Sequence, residues 1–82
     1  MPFTVVWDPA ALDQLALIWI TSQYPNAVTR ASDQIDLILR HSSMTAGLQY
    51  GDWRVVTIDP LQFLYKVSPD DCLVQIVDVR EA

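Results

Sequence analysis

Proline most constrains what this chain can become. Five prolines fall in its 82 residues, and four of them mark places where one element stops and another starts. Proline fixes φ and has no backbone donor, so it belongs in first helical turns and tight turns, not inside a helix or a central strand. Phe3-Thr4-Val5-Val6-Trp7 is aromatic and β-branched and reads as a strand. Asp8-Pro9 stops it. Asp suits an N-cap and Pro the first helical position, so a helix is expected from about Pro9. Leu12, Leu15, Ala16, Trp19, Ile20 and Gln23 then follow helical spacing. Leu17 and Ile18 widen the apolar stripe, which predicts cover on more than one side of this helix. Trp19 is assigned to the core.

Tyr24-Pro25-Asn26 ends that helix, with Asn26 suited to cap the next. A second helix is expected over Ala27–His41, burying Ala27 or Val28, Ala31, Ile35 and Ile38, with Leu39 beside them. Arg40 and His41 fall in its last turn, where positive charge suits the helix dipole. So short a connection implies an antiparallel helical hairpin. Ser42–Asp52 holds both glycines and reads as a loop. Three strands follow: Trp53–Ile58, Leu61–Val67 after the Asp59-Pro60 break, and Cys72–Val79 after the Ser68-Pro69-Asp70-Asp71 turn. Short connections make them an antiparallel meander. The plan is α+β, ordered β-α-α-β-β-β: a helical hairpin on one face of a mainly antiparallel four-stranded sheet, as one domain over residues 1–82.

Alternation places Leu61, Phe63, Tyr65 and Val67 on one face, with Gln62, Leu64 and Lys66 on the other. On the last strand it sets Leu73, Gln75, Val77 and Val79 against Cys72, Val74, Ile76 and Asp78. Neither face is cleanly polar. The face away from the helices then either meets a partner or a second copy, or lies under the Ser42–Asp52 loop.

Charge narrows the function. Five Lys plus Arg against ten Asp plus Glu give −5, which excludes a generic polyanion binder but leaves room for a local basic site. Such a site must draw on Arg30, Arg40, Arg54, Lys66 and Arg80. The first two fall on the second helix. The lone Cys72 allows no internal disulfide and fits a reducing compartment; it reads as a small hydrophobe. No membrane segment or signal peptide is present, so a cytoplasmic protein is expected. His41 has no second His or thiol beside it in the pattern, and no metal or cofactor is expected. Trp7 and Trp53 are assigned to the core or to the edge of a groove.

The element order, with Asp8-Pro9-Ala10-Ala11-Leu12-Asp13-Gln14-Leu15 opening the first helix, resembles the RelE/ParE superfamily of bacterial toxins from type II toxin–antitoxin modules. Pro60-Leu61-Gln62-Phe63-Leu64-Tyr65-Lys66-Val67, an acidic turn and Leu73-Val74-Gln75-Ile76-Val77-Asp78-Val79-Arg80 are similar to that family's final strand pair. The resemblance covers nearly the whole chain. It implies a small toxin neutralised by a cognate antitoxin that wraps it, acting on DNA gyrase in the ParE manner or on translation. In the RelE manner it would be a ribosome-dependent mRNA endoribonuclease, without a metal, in which the RNA 2′-hydroxyl attacks the adjacent phosphate. That chemistry needs a base or electrostatic aid at the nucleophile, cations at the phosphate and an acid at the leaving oxygen.

Position by position, the resemblance implies Arg54 and Arg80 as the basic site residues. Lys66, which could face the same groove as Arg54, stands in support. Val56 and Gln62 occupy places where active members carry basic residues. The sequence stops at Ala82, before the place where RelE-like enzymes carry an aromatic or His residue. Each basic residue also has a plain alternative: Arg54 paired with Asp52 or Asp78, Arg80 solvated beside Glu81, Lys66 an ordinary surface charge. Three roles stay open: a toxin-family protein acting by protein contact, the endoribonuclease, and a non-toxic relic that keeps the fold as a binding domain. The acidic balance points to a protein-targeting or inactive member over an RNA-cleaving one.

Overall fold

The computed structural model describes residues 2–82. Strand β1 (Thr4–Trp7) leads into helix α1 (Pro9–Thr21), and helix α2 (Pro25–Ser42) follows after three residues. Then come β2 (Leu48–Tyr50), β3 (Trp53–Ile58), β4 (Leu61–Ser68) and β5 (Leu73–Glu81), with a 3-10 turn at Pro69–Asp71. The five strands form one sheet in the order β1-β5-β4-β3-β2. β1 lies parallel to β5, and the other three pairings are antiparallel. The expected α+β plan and its helical hairpin stand. The sheet has five strands instead of four, because part of the expected Ser42–Asp52 loop pairs with β3.

Proline sets the helix starts. Asp8 is the N-cap of α1 with Pro9 behind it, yet its side chain does not cap; Asp8 Oδ1 accepts a hydrogen bond from Gln75 Nε2. That bond ties the start of α1 to β5. α2 begins at Pro25 with Tyr24 as N-cap, two residues before the expected start at Ala27. Pro fits the first helical position, so Pro25 opens α2, while α1 already ends at Thr21 with Ser22 as its C-cap. After the 3-10 turn Cys72 takes a left-handed conformation (φ 50) and its N–H bonds Pro69 O at 3.1 Å.

The core lies between the helices and one sheet face. Ala11 of α1 and Val28, Ala31, Ile35 and Leu39 of α2 close over Leu61, Phe63 and Tyr65 of β4 and Val74, Ile76 and Val79 of β5. Trp7 meets Phe63 edge to face at a centroid distance of 6.0 Å. Alternation on β4 is as expected, but on β5 it breaks. Leu64 pairs with Asp78 and Tyr65 with Ile76, leaving Val77 opposite no residue of β4. This bulge turns Val79 to the core side with Val74 and Ile76, where strict alternation had set it on the opposite face. Beyond the end of β1 the edge of β5 is covered by α1, where Gln14 Oε1 accepts from the Val79 N–H at 3.2 Å.

One assignment to the interior is overturned. Trp19 is half exposed, and α1 buries only Ala11 completely, leaving Leu12, Leu17 and Ile20 open to solvent. Its apolar residues surround the helix, but this chain covers one side. Of the two places open to Trp53, core or groove edge, the structure has the second: it stands partly exposed on the sheet beside Tyr50, Val55 and Leu64. Phe63→Ala should therefore cost about 3–5 kcal/mol, comparable to the whole stability of so small a domain. Trp19→Ala should cost less than about 1 kcal/mol. Urea unfolding followed by circular dichroism separates the two.

Candidate functional site

Register decides which strand side chains can act together, because directly paired residues share a face. Arg54 pairs with Tyr65, Val56 with Phe63 and Ile58 with Leu61. Arg54 therefore lies on the helix side of the sheet. Lys66 and Arg80 lie on the other side, paired with Gln75 and Gln62 respectively. The expected shared groove of Arg54 and Lys66 does not form, because neighbouring positions on paired strands point opposite ways.

Each of the three cations has its own partner. Arg54 Nη2 and Nε donate to Ala46 O at 2.9 and 3.0 Å, and Nε also reaches Tyr65 Oη at 3.3 Å. Tyr65 Oη in turn lies 3.0 Å from Ser43 O and 2.8 Å from Ala46 O. Arg54 is thus half-buried and clamps the end of α2 and the segment after it onto β3 and β4. Neither Asp52 nor Asp78 is its partner. Gly47 lies within this clamp at φ 69, and an added Cβ would collide with the Val55 carbonyl oxygen. Lys66 Nζ sits 4.8 Å from the centre of the Trp53 ring, a cation–π contact. Arg80 Nη2 pairs with Asp78 Oδ2 at 2.7 Å, with Asp78 rather than Glu81 as neighbour.

The sheet face away from the helices is uncovered. The segment after α2 folds to the helix side through Tyr65 and Arg54 and, as β2, extends the sheet. Tyr50 pairs with Trp53 and Leu48 with Val55, so all four join Leu64 on the open face. Gln62, Asp78 and Arg80 form its polar corner, where Gln62 Nε2 lies 3.5 Å from Thr57 Oγ1. The sequence reading missed Leu48 and Tyr50 as part of this surface. Their period-two spacing between Gly47 and Gly51 was the available sign. A second uncovered surface is the apolar groove of about 410 Å³ between α1 and α2, lined by Leu12, Leu15, Ala16, Trp19, Ile20 and Val28. His41 stands exposed at the end of α2. Cys72 is half-buried and in no disulfide.

This geometry separates the three candidates by stability. Arg54→Ala removes a charged donor from two buried or half-buried acceptors and should cost about 1.5–3 kcal/mol. Lys66→Ala and Arg80→Ala each lose a contact at an exposed side chain and should cost no more than about 1 kcal/mol. Denaturant midpoints of the three variants measure this directly.

No protein-family model and no curated protein matches the sequence. Solved structures do match in shape. A chain of the RelBE2 toxin–antitoxin complex of Mycobacterium tuberculosis superposes with a TM-score of 0.79 at 16% identity, covering 100% of both chains. The chromosomal ParDE toxin–antitoxin system of P. aeruginosa gives 0.73 at 16% identity, over 98% of this chain and 96% of that one. The isolated E. coli RelE toxin gives 0.68 at 15% identity, over 100% and 85%. At such identities the likeness is one of fold, and the fold of this chain is that of the RelE and ParE toxins.

Proposed function

We propose that this protein is the toxin component of a type II toxin–antitoxin module of the RelE/ParE superfamily, acting through protein contacts and held by a cognate antitoxin. The observation that carries the reading is the open sheet face. Where an RNA-cleaving toxin would need converging cations, this face presents Leu48, Tyr50, Trp53, Val55 and Leu64. Lys66 is engaged with Trp53, Arg80 with Asp78, and Arg54 lies on the other side of the sheet. A phosphate in flight needs several cations aimed at one point, and these three side chains are aimed at three. An aromatic and aliphatic surface of this kind suits a protein partner, because burying it supplies affinity without phosphate contacts. The net charge of −5 works in the same direction, since it opposes approach to RNA or to the ribosome. A gyrase-type target fits this surface better than messenger RNA does. The solved neighbours support the antitoxin, because two of them are described as toxin–antitoxin systems.

Induced expression tests the reading. Growth should stop, transcripts should remain uncut, and co-expression of an antitoxin encoded beside the gene should restore growth and co-purify with the protein. Trp53→Ser with Leu64→Ser should abolish the growth arrest while leaving the fold intact by circular dichroism. Harmless induction with no binding partner would overturn the toxin reading. Transcript cleavage that vanishes in Arg80→Ala or Lys66→Ala would overturn the protein-contact mechanism in favour of the endoribonuclease.

A further inference from the structure

We propose that Arg54 builds part of the open sheet face from the opposite side of the sheet: it holds β2 in place, and β2 supplies Leu48 and Tyr50 to that face. The inference deepens the proposed function and rests on it for its effect on growth, since that reading makes this face the partner surface. β2 has little else to hold it. It is three residues long and lies at the edge of the sheet, where among the described residues its one strand neighbour is β3. All three residues are exposed, and none is in the buried core. Leu48 is 66% and Tyr50 60% exposed. Two paired strands without further packing are marginal in water, so a strand this short needs a second hold.

That hold lies where the chain enters β2. Arg54 Nε and Nη2 both donate to Ala46 O, at 3.0 and 2.9 Å, and Nη2 reaches Gly47 O at 3.4 Å. Tyr65 Oη supports the same turn, 3.0 Å from Ser43 O and 2.8 Å from Ala46 O. Ala46 and Gly47 directly precede Leu48, so fixing their carbonyls fixes the direction in which β2 departs. Hydrogen bonds from a guanidinium are stronger than neutral ones, and its planar fork sets direction as well as distance. Gly47 marks the same close approach from the backbone. Its φ is 69, and an added Cβ would collide with the Val55 carbonyl oxygen of β3.

Arg54 does not share a face with the surface it builds. It pairs with Gln49 on the helix side, while Leu48 and Tyr50, on either side of Gln49, pair with Val55 and Trp53 on the open face. Without the clamp, β2 leaves β3 by local opening, and the core between the helices and β4 and β5 stays closed. The open face then keeps Trp53, Val55 and Leu64 but loses Leu48 and Tyr50. Arg54 is therefore a positioning residue. It touches no partner, yet the whole aromatic and aliphatic surface exists only while it holds two backbone carbonyls on the other side.

Limited chymotrypsin digestion of the full chain tests the clamp. In Arg54→Ala, cleavage after Leu48 and Tyr50 should be about tenfold faster, while circular dichroism shows the chain still folded. Gly47→Ala, which leaves the guanidinium in place, should do the same. Ile35→Val weakens the core without touching the clamp and should not. A disulfide separates holding from ligand contact, because Gln49 and Arg54 are directly paired and within its reach. In a Cys72→Ser background, Gln49→Cys with Arg54→Cys should restore slow cleavage when oxidised and lose it when reduced. On induction to equal protein levels, Arg54→Ala and Gly47→Ala should both relieve the growth arrest, and Ile35→Val should not. Unchanged cleavage in Arg54→Ala, or a disulfide that fails to restore protection, would overturn the clamp. Full growth arrest from either variant with β2 released would overturn its tie to the partner face. A parent chain that arrests no growth would overturn the toxin reading instead, and cleavage would still decide the clamp.

Discussion

The pairing of β4 with β5 is the constraint on which the rest of this structure depends. These strands supply Leu61, Phe63, Tyr65, Val74, Ile76 and Val79 to one continuous interior, and each helix packs against what they present. The bulge within the pairing decides the outcome. If alternation ran unbroken from Val74 and Ile76, Asp78 and Arg80 would point at the helices and Val79 at water. Two charged groups would enter the core, at a cost of several kcal/mol apiece unless fully partnered. One unpaired residue, Val77, reverses the face of everything after it. Val79 enters the core, Asp78 and Arg80 move to the open face, and the Val79 N–H finds Gln14 of α1. The same irregularity that completes the core therefore places the last cation of the chain on the surface.

Much of this was legible in the residues, and the parts that were not share a cause. Proline and its neighbours marked nearly every boundary, because proline acts through local backbone geometry. Leu61, Phe63 and Tyr65 were legible as a buried face, because alternation along a regular strand is also local. Val79 was not, since a bulge depends on how a partner strand pairs. β2 was hidden for a related reason. Three residues between two glycines carry little strand signal of their own and become a strand only by lying against Val55, Arg54 and Trp53. Trp19 misled because a helix that is apolar all round does not say which side the chain itself will cover. The fold class survived these local errors, since it rests on element order and connection length.

The candidate site shows the same division more sharply. Arg54, Lys66 and Arg80 were identifiable as the cations available to the sheet, but their directions depend on tertiary partners. Tyr65 looked like one more buried aromatic. Its hydroxyl, held at Ser43 O and Ala46 O, is the reason an arginine can sit half-buried beside it. A guanidinium has five donors in a fixed fork, which suits it to gathering the backbone carbonyls left free where α2 ends and the chain turns towards β2. The cation that seemed the best candidate for ligand contact thus serves to hold the segment after α2 against the sheet.

Taken together, the charges and the uncovered surfaces describe a molecule organised for contact on two sides. The open sheet face is aromatic and aliphatic with a small polar corner. The α1 face is apolar, with Leu12, Leu17, Trp19 and Ile20 open to solvent. These surfaces lie on opposite sides of the sheet, so occupation of one does not obstruct the other. The net charge of −5 opposes approach to a polyanion, while the apolar area that the fold leaves uncovered is the kind of surface whose burial supplies affinity for protein.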